Sequence, residues 1–120
     1  MSVNQETGAR AERLAAEWLM EHGFRLLHTN WRSGRYELDI VAEKGDTLHF
    51  VEVKARRAGS LTTPEDAITP AKFAALQKAA AAYITAYGID LEVQFDAIAV
   101  EYRDSSFEVR YIPNAMIPRW

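Results

Sequence analysis

The side chains best suited to chemistry lie between residues 35 and 54. Asp39 interrupts the apolar run Leu38-Asp39-Ile40-Val41, and Glu52-Val53-Lys54 follows after a spacer of twelve residues. Aspartate is depleted in strands and costs free energy when buried without a partner, so Asp39 calls for one. Carboxylate ligands unaccompanied by His or Cys favour a hard ion, Mg²⁺ or Mn²⁺, over zinc. Such an ion neutralises charge developing on a phosphate and lowers the pKa of an attacking water. An ammonium two residues from a metal-bound carboxylate can orient that water or stabilise the charged transition state. The residue types therefore point to phosphodiester hydrolysis. Read by themselves, Glu52 and Lys54 also fit the polar face of a half-exposed strand; Asp39 is the residue that this plainer reading leaves unexplained.

A hairpin is the element that must bring these groups together. Two apolar runs, 36–42 and 47–54, flank Glu43-Lys44-Gly45-Asp46, and a glycine in so short a link signals a tight turn. With Lys44-Gly45 at the tip, Glu43 faces Asp46, Asp39 pairs with Phe50, Glu37 with Glu52, and Arg35 with Lys54. Strand alternation then projects Arg35, Glu37, Asp39, Glu52 and Lys54 from one face, with Tyr36, Leu38, Ile40, Val51 and Val53 on the other. Three carboxylates so close repel one another, and Lys54, Arg35 or a divalent cation must offset that repulsion.

The rest of the chain supplies the frame. Ala11, Leu14, Ala15 and Trp18 recur at helical spacing after a polar start near Thr7, and Gly23 is placed to end that helix. A strand is expected over 24–31, then the hairpin, then a polar irregular stretch over 55–69. Thr69-Pro70 is a strong helix start, and Phe73, Leu76, Ala80, Tyr83, Ile84 and Tyr87 form one apolar stripe ending at Gly88. Strands over 91–100 and 107–112 follow, separated by a turn at 103–106. The order α-β-β-β-α-β-β, with a helix between the third and fourth strands, predicts a crossover between parallel strands in a mixed sheet flanked by helices, an α/β fold.

Composition narrows the field. The 120 residues suit one domain, 1–120, with an ordinary apolar share of 48% and charged share of 26%. No apolar run approaches the roughly 20 residues of a membrane span, and residues 1–10 lack the apolar stretch of a secretory signal, so a cytoplasmic protein is expected. There are no cysteines, which removes disulfides and thiolate metal sites. The three histidines, His22, His28 and His49, lack zinc-site spacing and read as structural or surface residues. A net charge of −3 does not describe a basic protein, but residues 1–60 hold nine Lys/Arg against nine Asp/Glu, which permits a local basic patch.

Asp39 followed by Glu52-Val53-Lys54 resembles the D-(x)n-E-x-K signature of the PD-(D/E)XK nuclease superfamily. Further segments agree: Gly8, Glu12, Ala15 and Ala16; Gly23-Phe24; Asn30-Trp31-Arg32; Glu37-Leu38-Asp39-Ile40; Phe50 to Arg56; Phe95-Asp96; and Ile112 to Ala115. Across roughly 8–115 the chain resembles the YraN-like family, a widespread bacterial group of predicted endonucleases related to archaeal Holliday-junction resolvases. The resemblance implies a restriction-endonuclease-like αβββαβ core. It implies an Mg²⁺ or Mn²⁺ ion held by Asp39 and Glu52, with the Val53 carbonyl as an extra ligand. Lys54 would be the catalytic lysine, and Glu12 a further acidic group brought to the metal from the first helix. Two departures stand out. Ala11 and Tyr36 occupy positions where many relatives have glycine, so that Tyr36 would narrow the approach to the site, and Gln94 replaces an arginine.

DNA contacts are expected from Arg13, which resembles a DNA-contacting basic residue of the resolvases, and from Arg32, Arg35, Arg56, Arg57 and Lys72. Contacts of this kind supply affinity rather than sequence choice. The function expected is metal-dependent endonucleolytic cleavage of DNA, including branched or recombination intermediates; the alternative is a nucleic-acid-binding or accessory protein that keeps the fold without hydrolysis. A symmetric dimer would suit the two-fold symmetry of a four-way junction. The apolar tail over 113–120 would cover the sheet or meet a partner.

Overall fold

Ala11, Ala15 and Leu19 form the buried stripe of α1 (Val3–Glu21) in the computed structural model, which describes residues 3–59 and 69–115, with side chains from Gly8 onward. Gly23 takes φ 87°, and the Phe24 N–H bonds back to the Leu19 carbonyl at 3.0 Å, turning the chain into the sheet. Five strands follow: β1 (Arg25–Ser33), β2 (Tyr36–Lys44), β3 (Thr47–Arg57), β4 (Glu92–Arg103) and β5 (Ser106–Ile112), with α2 (Pro70–Tyr87) between β3 and β4. They lie side by side in chain order, β3 and β4 parallel and every other neighbouring pair antiparallel. The fold is therefore α/β, with an αβββαβ core and the helix-linked parallel pair expected. Among the described residues no helix is long and apolar enough to cross a membrane.

The sheet is covered on both faces. Ala11, Ala15 and Leu19 pack with Ile40, Ala42, Val51, Ile98 and Val100 on one side. Leu76, Ala79, Ala80 and Tyr83 of α2 pack with Leu38, Val41, Leu48 and Phe50 on the other. α2 begins as its sequence dictates: the Thr69 hydroxyl accepts the Lys72 N–H at 3.1 Å, Pro70 opens the first turn, and Gly88 closes the helix at φ 60°.

Three details differ from expectation. The hairpin tip is Gly45-Asp46, so Lys44 pairs with Thr47 and Ile40 with Val51. Moving the tip by one residue shifts every partner by two; facing is preserved, but the pairings of Asp39 with Phe50 and of Glu37 with Glu52 do not form. Alternation also breaks at Asp39: Ile40 packs under α1, whereas Leu38 and Tyr36 join the cluster under α2. The cause lies on both neighbours. Pairing with β3 ends at Ile40, and on β1 the left-handed Asn30, at φ 52°, interrupts the ladder between Thr29 and Trp31. Finally, β3 continues through Arg57, because residues 55–57, expected as loop, pair in parallel with Val100, Glu101 and Tyr102. Residues 60–68 of that loop and 116–120 of the apolar tail lie outside the described residues.

Candidate active site

The site forms where β2 and β3 part. Beyond the Ile40–Val51 pair the backbone ladder ends, and Asp39 takes over its role: Oδ2 accepts the Val53 N–H at 2.9 Å. Glu52, only 6% exposed, stands on the neighbouring strand. Two ammonium groups converge on its Oε1, Lys72 Nζ at 2.9 Å from α2 and Lys54 Nζ at 3.5 Å from β3. Asp39, Glu52 and Lys72 line an open cleft of about 780 Å³, walled by α2 residues Ala71, Ala75 and Leu76 and edged by Arg35, Tyr36, Glu37 and Lys78.

Electrostatics marks Asp39 as the strained member. Burial first, and the Glu52 carboxylate second, push its pKa from 3.8 up to about 7, against the downward pull of the Val53 N–H. Glu12 adds to the rise, so it acts on Asp39 through space. Lys72 is shifted upward, chiefly by its hydrogen bond to Glu52 and against its own partial burial. Two acidic groups this close, one of them held above the usual carboxylate range, suit a hard divalent cation, which would favour both charged forms. Asp39 and Glu52, with the Val53 carbonyl that the resemblance implies, would be the chain's own donors for it. Among the described residues no three His, Cys, Asp or Glu side chains gather as a metal-holding group, so water would complete the shell.

The other expected site residues are distributed as follows. Glu12 is half-buried on α1, and Arg13 beside it is exposed. Glu37 faces Arg32 of β1 at 3.5 Å rather than Glu52, which leaves two close carboxylates in place of the three expected. Arg35 is exposed at the cleft edge. Arg56 shares the Lys54 side of β3 by alternation, and its Nη1 is buried with no hydrogen-bond partner among the described residues. Arg57, exposed, alternates to the opposite face. Lys72, expected as a surface contact to DNA, is half-buried and rests on Glu52, because the first turn of α2 ends beside it. None of the three histidines lines the cleft. His22 stacks on Trp18, His28 Nδ1 meets the Tyr83 hydroxyl at 2.7 Å, and His49 is buried.

Sequence reasoning gave no role to Asp96, the most completely buried carboxylate among the described residues. Four donors converge on it: His49 Nδ1 at 2.6 Å, the Tyr111 hydroxyl at 2.7 Å, Gln94 Nε2 at 2.8 Å and the Asn114 N–H at 2.9 Å. Burial, with the bond to Asp96 behind it, pushes the Tyr111 phenol well above its usual range. The group ties β3, β4, β5 and the segment after β5 together on the α1 side. The signal for it was an aspartate within an apolar strand, the same signal that singled out Asp39. Of the departures, Gln94 serves Asp96, Ala11 is fully buried in the α1 core, and Tyr36 lines the cleft.

Fold and site together define an α/β protein with an acidic pair and two lysines set in an open cleft between a parted hairpin and the start of a helix. The chain belongs to the uncharacterised protein family UPF0102, which it matches over residues 11–100. It is 39% identical to a UPF0102 protein of Parabacteroides distasonis, over 96% of this chain and 95% of the relative. A UPF0102 protein of Syntrophomonas wolfei is 38% identical over 94% of this chain and 99% of its own length. One from Chlorobium chlorochromatii is 40% identical over 92% and 90% respectively.

Proposed function

We propose that this protein is a cytoplasmic, Mg²⁺- or Mn²⁺-dependent DNA endonuclease of the YraN-like group in the PD-(D/E)XK superfamily, acting on branched or recombination intermediates. One observation carries the reading: the buried Glu52 and the half-buried Asp39, whose carboxyl is pushed up to about 7, open on a cleft beside two ammonium groups. A divalent ion on this pair would supply charge neutralisation at the phosphate and a more acidic water. The chain's own groups do the rest. Asp39 is fixed by the Val53 N–H and lines the cleft. Lys54, rooted in β3, holds a positive charge beside the reacting phosphate, where it stabilises negative charge in the transition state. Arg35 and Lys78 at the cleft edge, with Arg56, would attract the DNA backbone. Cutting a four-way junction in pairs would call for a two-fold dimer.

The test is cleavage of labelled duplex, flap, single-stranded and four-way-junction DNA with Mg²⁺ or Mn²⁺, comparing wild type with Glu52→Gln and Lys54→Ala. Cutting that both substitutions abolish supports the assignment; variants that cut as well as wild type refute it. A second reading, DNA binding without hydrolysis, draws on the absence of a third acidic ligand among the described residues. Binding of the junction with every substrate left intact would favour it.

A further inference from the structure

The two lysines at Glu52 are not equivalent. Lys54 comes from the same strand as Glu52, two residues on, and lies 3.5 Å from Oε1. Lys72 comes from a different element, lines the cleft, and makes the shorter contact, 2.9 Å, to the same oxygen. That oxygen belongs to the carboxylate that lines the cleft with Asp39, so a cation shared by the two acids would meet the lysine there. Lysine suits a temporary occupant: its ammonium is a compact point charge on a flexible four-carbon stem. The Lys72 side chain is 40% exposed, which leaves it room to swing into the cleft.

We propose that Lys72 is a placeholder for the divalent ion, its ammonium neutralising Glu52 when no metal is bound and leaving Glu52 as the ion enters. The inference rests on the metal-dependent reading above and adds that metal and lysine compete for one oxygen. A dication arriving beside a fixed ammonium is repelled by it, so displacement lowers the apparent affinity for the ion. A partly exposed ion pair is a weak competitor, which sets the penalty at about fivefold in affinity.

The test uses the full chain and Mn²⁺ alone, with no DNA, titrated by calorimetry into wild type, Lys72→Met and Lys72→Arg, each checked for native circular dichroism. Lys72→Met should bind Mn²⁺ about fivefold more tightly, and Lys72→Arg, which keeps the charge, should stay close to wild type. In EDTA the Met variant should melt below wild type, and Mn²⁺ should raise its melting temperature more. Equal or weaker Mn²⁺ binding by Lys72→Met overturns the placeholder while leaving the metal site standing. Absence of Mn²⁺ uptake by all three proteins overturns both.

Discussion

Asp39 on β2 and Val53 on β3 are joined by a side-chain hydrogen bond, Val53 N–H to Asp39 Oδ2 at 2.9 Å, at the step where backbone pairing between the strands has ended. The aspartate thus replaces a missing ladder bond and is drawn into the gap beside Glu52. Asp39→Asn retains an oxygen able to accept the Val53 N–H but loses the charge a hard cation requires. The expected result is loss of Mn²⁺ uptake with the fold intact, read by calorimetry alongside circular dichroism. An asparagine variant that still takes up Mn²⁺ with wild-type affinity would remove Asp39 from the ligand set.

The same residue gives stability a pH dependence of definite sign. Asp39 is raised in the folded state from 3.8 to about 7, so the folded protein holds this proton more tightly than the unfolded chain. Its contribution is therefore fully present below about pH 4 and is lost as pH rises through about 7. In EDTA, the melting temperature of wild type relative to Asp39→Asn should fall between pH 5 and pH 8. Mg²⁺ should reverse that fall at pH 8, where the ion no longer competes with the proton. A wild-type-minus-variant difference that stays flat across this range contradicts the raised value.

Asp96 is the opposite case, a buried aspartate satisfied by donors. Replacing it with alanine leaves His49, Gln94, Tyr111 and the Asn114 N–H without their acceptor. Breaking one side of a buried charged network costs about 3–5 kcal/mol, a large fraction of a small domain's stability. Urea denaturation of Asp96→Ala should show a loss of this size. In the folded fraction at low temperature, Mn²⁺ uptake should persist, because none of the four donors lines the cleft. A loss below about 1 kcal/mol would mean that water replaces the carboxylate freely.

The contrast between these aspartates shows what a sequence can carry. Both interrupt apolar strands, and composition treats them alike; only the surroundings separate them, four donors for Asp96 against one backbone N–H and an opposing acid for Asp39. Alternation placed Asp39, Glu52 and Lys54 together correctly, since a two-residue slip in register keeps facing. It misplaced Glu37, Tyr36 and Leu38, because a one-residue error at the hairpin tip and the left-handed Asn30 are local backbone choices that hydrophobic pattern does not report. Lys72 was legible as an α2 residue just after a strong N-cap, but its meeting with Glu52 depends on how α2 docks after the crossover, which no local signal states.

The start of α2 therefore links a capping bond to the site. Thr69 Oγ1 accepts the N–H of Lys72, the residue whose ammonium rests on Glu52. Thr69→Ala removes that acceptor and should cost about 1 kcal/mol, the usual value of an N-cap. If the first turn frays, Lys72 is less often on Glu52, and Mn²⁺ should bind more tightly in Thr69→Ala, in the same direction as in Lys72→Met but more weakly. Urea denaturation and calorimetry on one preparation read both effects. Thr69→Ser, which keeps a hydroxyl acceptor, should restore both; destabilisation without any change in Mn²⁺ affinity would show that the cap holds the helix but not the lysine.

Arg35 offers the cleanest probe of DNA contact, because it is exposed at the cleft edge and distant from the core. A phosphate contact contributes through counterion release, so losing one reduces the slope of log affinity against log salt by about 0.9 on duplex DNA. Arg35→Ala should lower the slope by about that amount, weaken duplexes of different sequence equally and leave Mn²⁺ affinity unchanged. Arg56→Ala, which removes a half-buried charge on the Lys54 side of β3, should shift the slope in the same direction. Fluorescence anisotropy over a salt series on two unrelated duplexes separates the outcomes. An unchanged slope places the DNA path elsewhere, while a loss confined to one sequence would mean that these arginines read bases rather than backbone.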